Sequence, residues 1–109
     1  MSSAQAPYFR VNKFVVPPKN RDAFLKIIER THAGVRRQHG FVRDLVLEQQ
    51  SGPGMFNFVT LIELSGVEAV PQVTAALAAL DAEAGVSRKE ETDQLGVCSD
   101  MANYRPLMI

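Results

Sequence analysis

The chain has 109 residues, with 12 basic and 12 acidic side chains and a single cysteine, Cys98. This length fits one domain, and a formal net charge of zero gives no sign of the basic surface that nucleic-acid binding needs. No apolar run reaches the roughly 18 residues of a membrane span, so we expect no membrane partner. The opening MSSAQAP lacks the features of a signal peptide, which predicts a disordered tail over 1–7 and one domain over 8–109. A lone cysteine fits a reducing cytoplasm.

The N-terminal half of the chain predicts a strand, a helix and a second strand. Residues 8–16, YFRVNKFVV, are rich in β-branched and aromatic side chains and end at two prolines. A helix over about 20–38 follows, with Asn20 as its N-cap. Its apolar stripe repeats at a spacing of three and four residues and contains Phe24, Ile27, Ile28, Thr31 and Val35. Gly40 is a typical residue after a helix end, and residues 41–50 predict strand two.

The C-terminal half predicts a hairpin partner, two helices and a last strand. The turn SGPG at 51–54 leads directly into strand three, MFNFVTLIEL, over 55–64. An alanine-rich helix over about 67–84, a short helix over 88–95 and a strand over 97–105 complete the order β-α-β-β-α-β. That order predicts an α+β, ferredoxin-like split βαβ sandwich, with four antiparallel strands and its helices on one face.

Strand three is apolar on both of its faces. One parity consists of Phe56, Phe58, Thr60, Ile62 and Leu64; the other consists of Met55, Asn57, Val59, Leu61 and Glu63. A small antiparallel sheet normally turns one face to water, so the second apolar face needs a cover. We therefore expect a homodimer through the sheet faces, forming a dimeric α/β barrel, with a pocket between sheet and helices for a small apolar or aromatic ligand.

Four phrases spread over residues 8–105 carry a family resemblance: VNKFVVPP, RDAFLKIIERTHAGVR, HGFVRDLVLEQ and FNFVTLIELSGVEAV. They resemble the antibiotic biosynthesis monooxygenase family of the dimeric α/β-barrel superfamily. The resemblance implies a pocket in which polycyclic phenols react with O2 without metal or flavin, so no cofactor is expected. This chain departs from the family at the end of strand three, because the usual Glu-Trp is Glu63-Leu64 and the chain has no tryptophan.

Two polar side chains are candidates for catalysis. Asn12 lies inside strand one, where asparagine is disfavoured, and it resembles the family's polar residue that hydrogen-bonds the ligand. Its alternative role is to satisfy neighbouring backbone groups. His32 lies four residues after Ile28, which turns it towards the sheet, and an imidazole there could accept a substrate proton. The alternative is a histidine at the edge of the core, hydrogen-bonded to backbone or water.

The expected wall of the pocket comes from one parity of strands one and three and contains Phe14, Phe58, Thr60, Ile62 and Leu64. Thr60 either faces the ligand or bonds across strands. We interpret Asp44, Glu48 and Asp100 as surface or edge carboxylates. The sequence has no H-x-x-x-H, C-x-x-C or glycine-rich phosphate motif, so neither a metal nor a nucleotide is expected.

Three functions fit these observations. The first is a cofactor-independent monooxygenase that oxidises a small aromatic or quinol-like compound with O2. The second is a non-catalytic, small-molecule-binding or stress-related dimer of the same fold, which the missing tryptophan favours. The third is haem binding or degradation, which is disfavoured because helix two offers Thr74, Ala75 and Ala76 and no histidine.

Overall fold

The computed structural model describes residues 6–109 as one sheet covered by helices. Its strands are β1 (Tyr8–Val15), β2 (Phe41–Glu48), β3 (Phe58–Leu64) and β4 (Cys98–Tyr104). Its helices are α1 (Arg21–Arg36), α2 (Val70–Ala84) and α3 (Arg88–Gln94), with short 3-10 turns at Pro18–Asn20 and Val67–Ala69. The predicted order of elements is confirmed. Most of the tail predicted over 1–7 lies outside the described residues.

The four strands pair antiparallel in the order β2-β3-β1-β4. This is the strand order of a split βαβ unit, so the predicted α+β, ferredoxin-like fold is confirmed. Burial alternates along β3, because Phe58, Thr60, Ile62 and Leu64 are buried while the residues between them are only half-buried. The helices therefore cover the face that these four residues share.

The core under the helices consists of two separate apolar clusters. The first contains Phe14, Val16, Phe24, Ile28, Phe58 and Val97. The second contains Val35, Ile62, Leu64, Ala69, Val73 and Leu77. The clusters meet opposite ends of β3, since Phe58 begins that strand and Leu64 ends it. A space is thus left over the middle of the sheet.

The opposite face of the sheet is apolar at its centre. Leu61 pairs with Leu45 on one side and Val11 on the other, and Val11 pairs with Ala102. One apolar row therefore crosses all four strands, and Leu45 at its edge is 46% exposed. In the single chain this row is open to solvent.

Two asparagines behave differently from the sequence prediction. Strand three begins at Phe58 and not at residue 55, because the Asn57 side chain replaces a ladder contact: its Oδ1 accepts from Val16 N–H and its Nδ2 donates to Val16 O, each at 2.8 Å. Asn20 occupies the N-cap position of α1 but makes no capping bond. Its amide donates instead to the Leu95 carbonyl at 2.8 Å, which ties the start of α1 to the end of α3.

Candidate functional site

A cavity of about 610 Å³ fills the space between the two apolar clusters. Its walls are α1, the helix-covered face of the sheet, and the end of α2 with α3. Phe14 and Ile28 line it from the first cluster, and Ile62 and Leu77 line it from the second. This volume is within the range of pockets that bind small organic ligands.

Five of the seven residues predicted for the site lie on this cavity: Asn12, Phe14, His32, Thr60 and Ile62. The other two, Phe58 and Leu64, are buried in the apolar clusters at 3% and 1% exposure and do not line it. They have the right parity but occupy the ends of β3, whereas the cavity lies over its middle. Their place is behind the cavity wall.

Asn12 and Thr60 form a polar spot in the sheet wall. They are direct cross-strand partners on β1 and β3, which places their Cβ atoms about 4.5–5.5 Å apart. Within residues 6–109 neither side chain makes a hydrogen bond, and no fully buried side-chain N or O lacks a partner. The Thr60 hydroxyl, on a side chain only 3% exposed, therefore borders the cavity. An amide and a hydroxyl are both free to contact a ligand.

His32 reaches the cavity from α1 and is held by Asp44 of β2. The His32 Nδ1 lies 2.7 Å from Asp44 Oδ2, and the histidine side chain is 3% exposed. An ionised carboxylate can only accept, so Nδ1 carries the proton and donates it. Nε2 then has no partner among the described residues and is not fully buried, so its lone pair faces the cavity.

Asp44 is the functional residue that sequence reasoning missed. It lies on the edge strand β2, as its interpretation as a surface or edge carboxylate allows, but its side chain is only 12% exposed and also accepts from Arg36 Nε at 2.9 Å. Strict alternation from Phe41 places Asp44 on the open face. A β-bulge between Phe41 and Arg43 shifts the register and turns Asp44 towards α1. The orientation of Asp44 therefore depends on the geometry of this β-bulge, and no feature of the sequence marks the bulge.

The pKa shifts of the pair favour a neutral histidine beside an ionised aspartate. Burial lowers the pKa of His32 below 6.5, and the Arg36 charge lowers it further, while Asp44 opposes both. Burial raises the pKa of Asp44, but hydrogen bonds from Arg36 and His32 outweigh it and leave that pKa below 3.8. At neutral pH, His32 can therefore accept a proton at Nε2.

Acidification should destabilise the fold through His32. Because its folded pKa is depressed, the unfolded chain takes up a proton first as pH falls below 6.5. The free energy of unfolding should then fall by at most about 1.4 kcal/mol per pH unit from this group, until pH passes the folded pKa. Urea unfolding at several pH values should show this slope in the wild type and a reduced slope in His32→Gln. The exposed His39 supplies the control, since His39→Gln should keep the slope; an unchanged slope in His32→Gln would contradict the assignment.

Charged side chains from three elements complete the cavity. Arg10 of β1, Asp81 of α2 and Arg88 of α3 line it, and Arg88 Nε donates to Asp81 Oδ1 at 3.0 Å. None of these three residues was predicted from the sequence to belong to the site. Within residues 6–109 no three His, Cys, Asp or Glu side chains are grouped to hold a metal ion. None of the described helices is long and apolar enough to cross a membrane.

Solved structures share this fold. SnoaB from Streptomyces nogalater, a cofactor-independent oxygenase, is 20% identical over 95% of this chain and 96% of its own, with a TM-score of 0.66. A protein of Shewanella loihica PV-4 with an ascribed monooxygenase activity is 16% identical over 98% of this chain and 100% of its own, with a TM-score of 0.68. A Nitrosomonas europaea protein, ascribed to the antibiotic biosynthesis monooxygenases, is 14% identical over 98% of this chain and 96% of its own, also with a TM-score of 0.68.

At these identities the likeness establishes the fold that the resemblance implied, and it does not by itself carry an activity. No protein-family model matches the sequence, and no curated protein matches it significantly. The chain is thus an α+β protein with the architecture of the three solved structures named above.

Proposed function

We propose that this protein is a cofactor-independent monooxygenase that oxidises a small aromatic or quinol-like compound with O2 in the cavity. The observation that carries the proposal is the His32–Asp44 pair. It presents a neutral imidazole nitrogen to a cavity lined by both apolar and polar side chains, which suits removal of a proton from a phenol or an activated C–H group. The fold shared with a cofactor-independent oxygenase supports the same chemistry.

The reaction balances without a cofactor for a substrate that carries an acidic CH2 group, such as an anthrone. His32 Nε2 takes one proton, and the resulting anion gives an electron to O2. The two radicals join in a C–O bond, the imidazolium returns its proton to the peroxide anion, and the hydroperoxide loses water to leave a carbonyl. One oxygen atom enters the product, the other leaves as water, and the substrate supplies all four electrons.

In this reaction Asn12 and Thr60, the polar spot on the sheet, stabilise the substrate anion. Asn12 and Thr60 hold the substrate oxygen that gains negative charge when the proton leaves, since an amide N–H and a hydroxyl can both donate to it. Donors fixed on neighbouring strands need no reorganisation during the reaction. Phe14 and Ile62 supply apolar wall against which the substrate ring packs.

A homodimer in a reducing cytoplasm is the expected working form. The open sheet face has an apolar central row, flanked by the Arg43–Glu63 ion pair at 2.7 Å on one side and the cross-strand partners Lys13 and Asp100 on the other. An apolar centre with a charged border is the anatomy of a protein interface. A second copy supplies the same pattern in reverse.

The enzymatic proposal is tested by incubating the protein, with chelator and no added flavin, with a panel of anthrones and hydroxynaphthoquinols. We expect quinone formation above the rate of autoxidation, one O2 consumed per anthrone converted to quinone, and no product under nitrogen. Absence of any oxygen-dependent turnover across the panel would refute it.

The second candidate, a binding dimer without catalysis, is favoured by the absence of tryptophan from the chain. It predicts saturable binding of the same compounds with no oxygen uptake. Haem binding is separated by adding haemin, where a shifted Soret band would support it; α2 contains no histidine to ligate the iron.

A further inference from the structure

Arg10 is a half-buried cation on the cavity wall without an acidic partner. Its side chain forms no salt bridge or hydrogen bond with the described residues, in contrast to Arg21, Arg30, Arg36, Arg43 and Arg88, each of which pairs with a carboxylate. The remaining residues, MSSAQ at 1–5, contain no acidic side chain. Within residues 6–109, no carboxylate therefore lies within salt-bridge distance of Arg10.

The other charges around the cavity cancel. Arg88 pairs with Asp81 at 3.0 Å, and Lys89 pairs with Asp93 at 2.7 Å, so Arg10 is the charge that is not matched. Burial lowers the pKa of Arg10 and the charge of Arg88 lowers it further, which indicates surroundings that lack negative charge. Arginine nevertheless stays protonated in proteins. The partial burial of this cation carries a desolvation cost, which an anion paired with it would offset.

The position of Arg10 defines the ligand that could pair with it. Arg10 is the cross-strand partner of Ile62, and Ile62 is the partner of Asp44. Arg10 and Asp44 thus lie in one row, two strands apart, which is about 10 Å. Phe14 and Ile28 line the same cavity. A fused aromatic ring system can span this distance, with one end at the His32–Asp44 pair and the other at the guanidinium.

We propose that Arg10 binds the carboxylate of an aromatic acid, so that the cavity selects anionic over neutral aromatic ligands. A guanidinium matches a carboxylate with two parallel hydrogen bonds, and such charge-assisted bonds are the strong ones. The inference rests on the proposed function for the identity of the cavity as a substrate site, and it narrows the substrate to aromatic carboxylates. Its test is a binding measurement that needs no turnover.

The test compares two naphthalenes of nearly equal shape, 2-naphthoate and 2-naphthamide, by titrating their fluorescence with the protein at neutral pH. We expect the wild type to bind the acid at least about tenfold more tightly than the amide, as hydrogen bonds to a charged group allow. Arg10→Gln should abolish this preference while leaving amide binding within about twofold. Arg10→Lys, which keeps the charge but loses the planar fork, should keep part of it.

Arg37→Gln is the matched control, because Arg37 is exposed at the end of α1 and does not line the cavity; it should keep the full preference. A wild type without preference for the acid, or an Arg10→Gln variant that keeps it, would overturn the inference. Should Arg10→Gln fail to fold, Arg10→Lys provides the test. A preference of Arg10→Lys for the acid as large as that of the wild type would also overturn the inference. Arg10-dependent binding of the acid without oxygen-dependent turnover would refute only the proposed monooxygenase activity. Turnover without a preference for the acid would refute only the proposed role of Arg10.

Discussion

Replacing His32 by glutamine should reduce the oxygen-dependent kcat on an active anthrone or quinol by about 10²- to 10⁴-fold, the usual contribution of a general base. Glutamine keeps the approximate size of the side chain and can still donate to Asp44, but it cannot accept a proton. The loss should appear mainly in kcat, because the apolar walls that bind the ring remain. Stopped-flow absorbance of the quinone under air measures it directly.

Asp44→Asn separates a general base from a merely structural histidine. Asp44 raises the pKa of His32 against the effects of burial and Arg36, so its removal should lower that pKa further. The acid limb of the kcat/KM profile, already below pH 6.5 in the wild type, should move to lower pH. At the same time kcat should fall, since a weaker base is less effective and the imidazole is less firmly oriented.

The outcomes of the two variants are linked. His39→Gln serves as the control for both, because His39 is exposed and does not line the cavity. A His32→Gln enzyme with kcat within about twofold of the wild type would eliminate His32 as the base. An acid limb that stays in place in Asp44→Asn would show that the titrating group is not His32.

The fold was predictable because local patterns and long-range pairing agree. The apolar stripe of α1, from Phe24 to Val35, is buried as its spacing required, and the alternation from Phe58 to Leu64 survives as alternating burial along β3. At the start of β3 the prediction failed because a single side chain makes the bonds expected of the backbone. Asn57 does this at the start of β3, and short polar side chains compete with backbone in ways that periodicity cannot reveal.

The site was less predictable because it depends on distances between elements. Strand parity placed Asn12 and Thr60 towards the helices, helical spacing placed His32 towards the sheet, and all three line the cavity. Parity could not show that the cavity lies over the middle of β3, so it did not separate Thr60 and Ile62 from Phe58 and Leu64. For Arg10, the sequence shows a cation on a strand, but only the assembled charges show that it has no partner.

Leu61→Asp should dissociate the proposed homodimer into monomers. Leu61 is central in the apolar row of the open face, between Leu45 and Val11. In a sheet-to-sheet dimer the new carboxylate would be buried without a partner, at a cost of several kcal/mol. The dissociation constant of the dimer should therefore rise at least about a hundredfold. Sedimentation equilibrium at micromolar concentration would show a wild-type dimer and a variant monomer.

A second variant and a control make this result independent of folding. Leu45→Asp lies at the edge of the same row and is already 46% exposed in the single chain, so it should fold as a monomer and still fail to pair. Ala79→Asp adds the same charge on the exposed side of α2, away from Val73 and Leu77, and should remain dimeric. A wild type that sediments as a stable, folded monomer would mean that the apolar row tolerates water, and the open face would then need a different explanation.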